Sequence, residues 1–287
     1  MKFSFISQQH SRFAVKKICW VLAVSRSGYY ARQKRIKSVR EQENQRLLLE
    51  IKDAYRSSRG LYGSPRITQE LQARGFGCSE NRVARLMRKH GIRAKARWRF
   101  KITTNSKHKL PVAPNLVLQN FSANRANELW TSDITYVWTV EGWLYLAVIL
   151  DCYSRRIVGW SMNTQPTQEL VVNALQQALG RRIIHPDIIF HSDRGRQYAS
   201  ANFKELLITF GFQQSMNRKG NCYDNAITEA FFSTLKTELI YQQKFLTKQQ
   251  AKTSIFEYIE IFYNKTRRHS AIGYKSPFEF ENMATLS

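Results

Sequence analysis

An α/β protein is expected, its strand-rich core preceded by an all-α front, and three observations say so. Charge is lopsided: of a formal +24, residues 1–125 hold 28 Lys/Arg against 6 Asp/Glu, while residues 126–287 hold 17 against 15. The front places its apolar residues at helical spacing, in short runs cut by Gly, Ser and Pro. From Glu128 three strand-like runs follow in succession, and helical and strand patterns then alternate.

Along the chain, Phe13, Val15, Ile18 and Leu22 share one helical face, and Ser25 can cap a second short helix after a break at Ala23–Val24. Residues 35–46 are charged and read as a helical connection or a linker, overlapping the start of a helix at 43–57 with Leu47, Leu48, Ile51 and Tyr55 on one face. Pro65 suits the start of the next helix, which carries Ile67, Leu71 and Ala73, and Ser79 can cap a third. That third helix presents Arg82, Arg85, Arg88 and Lys89 beside Val83, Leu86 and Met87. Three short helices with a basic last one outline a helix-turn-helix whose final helix enters a DNA groove; a merely solvated basic face is the alternative. Residues 95–127 read as a basic linker with Pro111 and Pro114, in which Trp98 and Phe100 either stack on bases or anchor the linker.

In the second half, ELWTSDITYVWT alternates, Glu141–Gly142 reads as a hairpin turn, WLYLAVILD is apolar throughout and RRIVGWSM is a third strand. Helices at 167–180, 200–210 and 225–240 are then interleaved with the strands DIIF and FQQSM, an RNase H-like order. A last helix at 247–264, bearing Ile255, Tyr258, Ile259 and Phe262, packs on this unit before a basic tail. The expected division is therefore 1–40 and 41–97 as basic helix-turn-helix regions, 98–125 as linker, 126–245 as catalytic core and 246–287 as final helix and tail.

Composition narrows the function classes. So basic a front implies a polyanion, with double-stranded DNA the default, because neutralising phosphates releases condensed counterions. Cys19, Cys78, Cys152 and Cys222 have no paired or zinc-ligand spacing, and no apolar stretch resembles a signal peptide or membrane span, so a cytoplasmic protein is expected. No activated hydroxyl among positioned arginines suggests serine or tyrosine recombinase chemistry.

Three carboxylates stand out. Asp133 falls mid-strand, Asp193 follows the strand DIIF, and Glu229 lies on a helix that Asp224 or Asn225 can cap, 35 residues separating Asp193 from Glu229. On that helix Asn225, Glu229, Ser233 and Lys236 form a polar stripe opposite Phe231, Leu235 and Leu239. Carboxylate oxygens suit Mg²⁺, a hard cation, and a pair of such ions can activate one oxygen and stabilise another in phosphoryl transfer. Lys236, seven residues (~10.5 Å) beyond Glu229, is placed to touch a strand beside the reacting phosphate. Asp151 is a competing carboxylate, read as structural through Arg155 or Arg156; an RNase H-type hydrolase would instead recruit a helix acid, of which Glu169 is the available one.

The motifs WTSDITYV, EGWLYLAVILDCYSRRIVGWSM, HSDRGRQY, GNCYDNAITEAFFSTLKTE and YNKTRRHSAIGYKSPFEFE, with GLYGSPRITQEL and RLMRKHGIRA upstream, resemble OrfB-type transposases of two-frame bacterial insertion sequences. These belong to the DDE class, similar in the catalytic domain to retroviral integrase. The resemblance implies that Asp133, Asp193 and Glu229 bind two Mg²⁺ ions, Mn²⁺ substituting, and that Lys236 contacts DNA. Arg196 departs from the small residue commoner in HSD-x-G-x-QY and adds charge suited to DNA. The implied reaction exposes a 3′-hydroxyl at an element end and directs it onto another DNA phosphate. A homo-oligomer on DNA and fusion with, or dependence on, an upstream OrfA frame belong to the same expectation. The rival readings are a DNA-binding regulator with an inert integrase fold and the hydrolase.

Overall fold

The computed structural model describes residues 2–34, 38–95, 111–218 and 222–285. Three short helices come first, α1 (Lys2–Gln9), α2 (Val15–Val21) and α3 (Arg26–Lys34), closing on a small core of Ile6, Ile18, Cys19 and Tyr29. Ser25 caps α3 as expected, accepting from the Gly28 N–H at 3.2 Å. Ser38 accepts from the Glu41 N–H and starts α4 (Val39–Ser57), so from Val39 the expected connection takes its helical form. α5 (Ser64–Ala73) has Pro65 in its first turn, and Ser79 caps α6 (Glu80–Lys89). Leu47, Ile51, Ile67, Leu71, Val83 and Leu86 bury the facing stripes of these three helices; Ala73 is exposed. Trp98 and Phe100 lie outside the described residues. From Pro111 the expected linker runs against the sheet, Met216 N–H donating to the Pro114 carbonyl.

The strand-rich half has a five-stranded sheet in the order β3-β2-β1-β4-β5. β1 (Leu129–Thr139), β2 (Gly142–Asp151) and β3 (Ile157–Asn163) run antiparallel; after α7 (Gln168–Arg181), β4 (Ile189–Ser192) returns parallel to β1, and after α8 (Ala201–Thr209), β5 (Gln213–Met216) lies parallel to β4. Thr139 pairs with Gly142, so the hairpin turn is Val140–Glu141 rather than Glu141–Gly142, and Gly142 supplies the positive φ of +100° that closes it. β2 is buried on both faces. Leu144, Leu146, Val148 and Leu150 join one core, Ala147 and Ile149 the other, which is why this strand is a continuous apolar run. α7 packs tightly on β3 because Gly159 has no Cβ, which would strike the Ala174 carbonyl and Ala178.

The opposite face is covered by α9 (Ala226–Glu238) and α10 (Lys248–Glu257), the latter running on as a π-helical turn over Tyr258–Tyr263. The expected basic tail then contains a helix of its own, α11 (Pro277–Thr285), and several of its charges are internal. Arg156 and Arg182 both bind Glu281, at 2.6 Å, and Arg182 also binds Asp151 at 2.8 Å. Asp151 is thus structural, but its side-chain partner is Arg182 and not Arg155 or Arg156; it also accepts the Asn127 and Tyr153 N–H groups. Arg267 binds Glu238 of α9 and Arg268 binds Glu70 of α5, while the Tyr62 hydroxyl accepts the Arg268 N–H at 2.8 Å. These contacts dock α4–α6 onto α9, and the apolar core is continuous across the junction.

Candidate active site

Strand register brings the first two carboxylates together. Ser132 of β1 pairs with Ser192, the last residue of β4, and the residues that follow are Asp133 on β1 and Asp193 just beyond β4. Asp133 belongs to the β1 face that packs on α9, where the Thr228 hydroxyl donates to Thr131 Oγ1 at 2.8 Å and Asn225 Nδ2 donates to the Ser132 carbonyl at 3.2 Å. Glu229, in the first turn of α9, is held over the same ground. Burial pushes the Asp133 carboxyl well above the usual carboxylate range; Asp193 adds to this, the Ile134 N–H opposes it, Glu229 raises it further and Lys236 lowers it. Burial also raises Glu229 and lowers Lys236, the latter opposed by Asp133. Asp133, Asp193, Glu229 and Lys236 are therefore an interacting set. Among the described residues no three His, Cys, Asp or Glu side chains stand close enough to clasp a single ion, so the set is an open acidic patch of oxygen donors.

The loop after β4 is shaped around Asp193. Its Oδ1 accepts the Gly195 N–H at 2.8 Å, and a Cβ on Gly195 would fall 2.8 Å from that oxygen. Below, the buried Tyr198 hydroxyl meets Ser132 Oγ at 2.8 Å, and Ser132 donates to the Val148 carbonyl. Burial raises the phenol well above its ordinary range, with Asp133 and Asp193 raising it further, so Tyr198 stays protonated. Sequence reading missed Tyr198, although its place in HSDRGRQY was a signal.

A second, neutral network fixes the approach to α9. The buried His191 ring reaches Ser215 Oγ (2.8 Å), the Asn217 side chain (2.7 Å) and the Asp224 carbonyl (2.7 Å), and burial lowers its pKa, keeping it neutral. Asp224 accepts from the Arg218 backbone and guanidinium and from Asn115 Nδ2. Burial would raise its carboxyl, but the Arg218 hydrogen bonds override that and bring it down to about 2. Neither Asp224 nor Asn225 caps α9 with its side chain: Asp224 is committed to Arg218, and a 3-10 turn over Cys222–Asn225 precedes the helix. Asn225 is buried against β1 and leaves the expected polar stripe, which reduces to Glu229, Ser233 and Lys236.

The expected DNA contacts divide. Arg85, Arg88 and Lys89 are exposed on α6, and Arg196 is exposed three residues after Asp193. Arg82 is instead tied to α4, donating to Glu43 at 3.0 Å and Asn44 at 2.8 Å, because its helix position turns it toward that neighbour. Glu169 is exposed in the first turn of α7, where the helix dipole accounts for it. Cys19, Cys78 and Cys152 are buried free thiols. No described helix is long and apolar enough to cross a membrane.

The integrase core domain family matches residues 123–222, a second integrase core domain family matches 229–285, and an HTH-like domain family matches 42–100. Transposase InsF for insertion sequence IS3A of Escherichia coli K12 is 44% identical over 285 residues, covering 98% of this chain and 99% of that protein. The chain belongs to the InsF-type family of insertion-sequence transposases. An insertion element IS600 31 kDa protein of Shigella sonnei is 45% identical over 263 residues, covering 92% of this transposase and 97% of its own length. Among solved structures, the simian T-cell lymphotropic virus intasome with PP2A regulatory subunit B56 gamma matches 77% of this transposase and 70% of that chain, at 15% identity and a TM-score of 0.47. The HTLV-2 integrase catalytic core in complex with magnesium matches 56% and 99%, at 16% identity and a TM-score of 0.42.

Proposed function

We propose that this transposase binds the ends of its element, cleaves there to expose a 3′-hydroxyl, and joins that hydroxyl to a phosphate of target DNA. One observation carries the reading: the β1/β4 register sets Asp133 beside Asp193, and Glu229 acts on the same Asp133 carboxyl from α9. Like charges gathered under partial burial disfavour one another unless a cation joins them. Asp133, Asp193 and Glu229 would hold divalent ions, and the all-oxygen donor set fits Mg²⁺, with Mn²⁺ a substitute. Bound there, such ions would supply activation of the attacking oxygen and stabilisation of the leaving one.

The chain's own residues do the rest. The Gly195 N–H orients Asp193, the Ile134 N–H orients Asp133, and Tyr198 with Ser132 braces β1 from below. Lys236, whose charge reaches Asp133, is placed to meet a phosphate of the reacting strand. Arg196 extends positive charge beyond the Asp193 loop. Arg85, Arg88 and Lys89 on α6 offer sequence-independent grip, or groove contacts, to duplex DNA. A homo-oligomer bridging two ends, acting with an upstream OrfA frame, completes the proposal.

The test is strand transfer on labelled element-end DNA with Mg²⁺ or Mn²⁺, parent against Asp193→Asn. Joined products from the parent and none from the variant are expected. Cleavage without joining would instead indicate a hydrolase. Tight end binding with no reaction, even after the upstream frame is supplied, would indicate a DNA-binding regulator.

A further inference from the structure

β4 pairs with β1 only over Leu129–Ser132, so from Asp133 to the hairpin tip β1 has a strand on one side alone. That stretch carries an aromatic surface. Tyr136, Trp138 and, across the hairpin, Trp143 are 39%, 55% and 43% exposed. Trp143 lies edge to face with both others, with ring centroids 5.0 Å from Tyr136 and 4.7 Å from Trp138. Tyr241, 45% exposed, adjoins Tyr136, whose phenol helps to raise the Tyr241 pKa after burial. The Lys236 ammonium stands 5.2 Å from the Tyr136 ring centroid while its charge acts on Asp133, so one side chain links the acidic patch to the aromatic one. The exposed Lys244 precedes Phe245, whose carbonyl accepts the Val140 N–H at the hairpin tip.

We propose that Tyr136, Trp138 and Trp143 form a stacking site for unpaired nucleotides of the DNA strand whose phosphate lies at the acidic patch. Aromatic faces beside cations suit single strands, since every base offers a π-face and every nucleotide a charge. Tyr136 and Trp138 alternate with Asp133 and so lie on the other face of β1, and a DNA strand would pass between the faces round the edge that β4 leaves uncovered, where Lys236 stands 5.2 Å from the Tyr136 ring. Charge favours DNA as the occupant: the phosphates of a strand lying on the rings would neutralise Lys236, beside Tyr136, and the exposed Lys244 near the hairpin tip. This inference rests on the transposase reading above and adds the state of the DNA next to the reacting phosphate.

The experiment is fluorescence anisotropy of the full chain without divalent metal, on labelled end DNA that is blunt or carries three unpaired nucleotides. The double variant Trp138→Ala/Trp143→Ala should bind the frayed DNA at least tenfold more weakly than the parent, with blunt-duplex affinity unchanged. Trp138→Phe/Trp143→Phe should restore binding of the frayed DNA. Trp138→Ala alone, at the most exposed ring, should give a smaller loss in the same direction and guards against misfolding of the double variant. Equal weakening on both DNAs, or none on either, would overturn the proposal. So would dissociation of an oligomer by the double variant with DNA affinity intact, which would make the patch a contact between copies. Because no bond is made or broken in this assay, failure of strand transfer leaves its outcome unaffected.

Discussion

Helix α9 carries a glutamate near each end, and the two have opposite surroundings. Glu238 is enclosed by partners: Arg267 donates through Nε and Nη2, the latter at 2.8 Å, the Tyr258 hydroxyl donates at 2.7 Å, and Arg66 stands at 3.8 Å. Glu229, nine residues earlier, acts on Asp133, which already contends with Asp193. One end matches each charge with its opposite and so joins two parts of the molecule. The other gathers charges of one sign, an arrangement that folding does not favour and that DNA chemistry can use. One helix thus joins a charge-paired end to an acidic one.

The contrast can be broken most directly at its two ends. Glu238→Gln leaves Arg267 buried without its carboxylate and should cost about 3–5 kcal/mol in denaturant unfolding. Glu229→Gln should abolish strand joining yet change stability by no more than about 0.5 kcal/mol. Similar destabilisation at both ends would mean that the acidic set is as structural as the paired one.

Two glycines sharpen the same division. At Gly159 an added Cβ meets the Ala174 carbonyl and Ala178, so Gly159→Ala should lower stability by about 1–3 kcal/mol. At Gly195 the added carbon meets Asp193 Oδ1 at 2.8 Å and Gln197 Oε1 at 3.0 Å. Gly195→Ala should therefore reduce joining more than it reduces the melting temperature.

Acid should find the paired end through His269, whose ring lies edge to face with Tyr263, 4.7 Å between centroids. Burial first, and then Arg267, Arg66 and Arg155, bring its pKa down to about 2. The unfolded chain takes up a proton near pH 6.5 that the folded chain refuses. Stability from this residue is complete above that pH and declines below it, by at most about 1.4 kcal/mol per pH unit. Thermal melts from pH 7 to 5 should show the decline, and His269→Gln should flatten it.

The smallest effects are expected on α6. Arg85→Ala and Arg88→Ala should each lower the magnitude of the log–log salt slope of DNA binding by ~1. Arg82→Ala should leave the slope nearly unchanged and cost up to ~1 kcal/mol of stability, since Arg82 pairs with Glu43.

Much of this was legible in the chain, and the limits have physical causes. Alternation in WTSDITYVWT, the apolar run WLYLAVILD and the caps Ser25 and Ser79 act over a few residues, and each formed the element its pattern implies. Asp133, Asp193 and Glu229 stood out as candidates because Asp133 and Glu229 lie on well-patterned elements and Asp193 directly follows one. Long-range pairing was not visible. Arg267 lies 29 residues from Glu238 and Arg268 lies 198 from Glu70, so a basic tail and an internal clasp look alike in sequence. The same holds for Asp151, whose partner Arg182 comes 31 residues later, beyond a strand and a helix. Helix α11 could have been found: Pro277 opens it and Glu279 lies in its first turn.

That late clasp also sets an order of events during synthesis. Glu70 and Glu238 leave the ribosome before Arg268 and Arg267, so the growing chain spends this interval without the two ion pairs that tie the tail to α5 and α9, of the arginines Arg66 alone being available to Glu238. Asn264, whose side chain bonds both the N–H and the carbonyl of Ile157, likewise arrives after the sheet edge it holds. A nascent chain halted before residue 264 should therefore be more readily cleaved by protease within α4–α6, and release of the remaining residues should protect those helices.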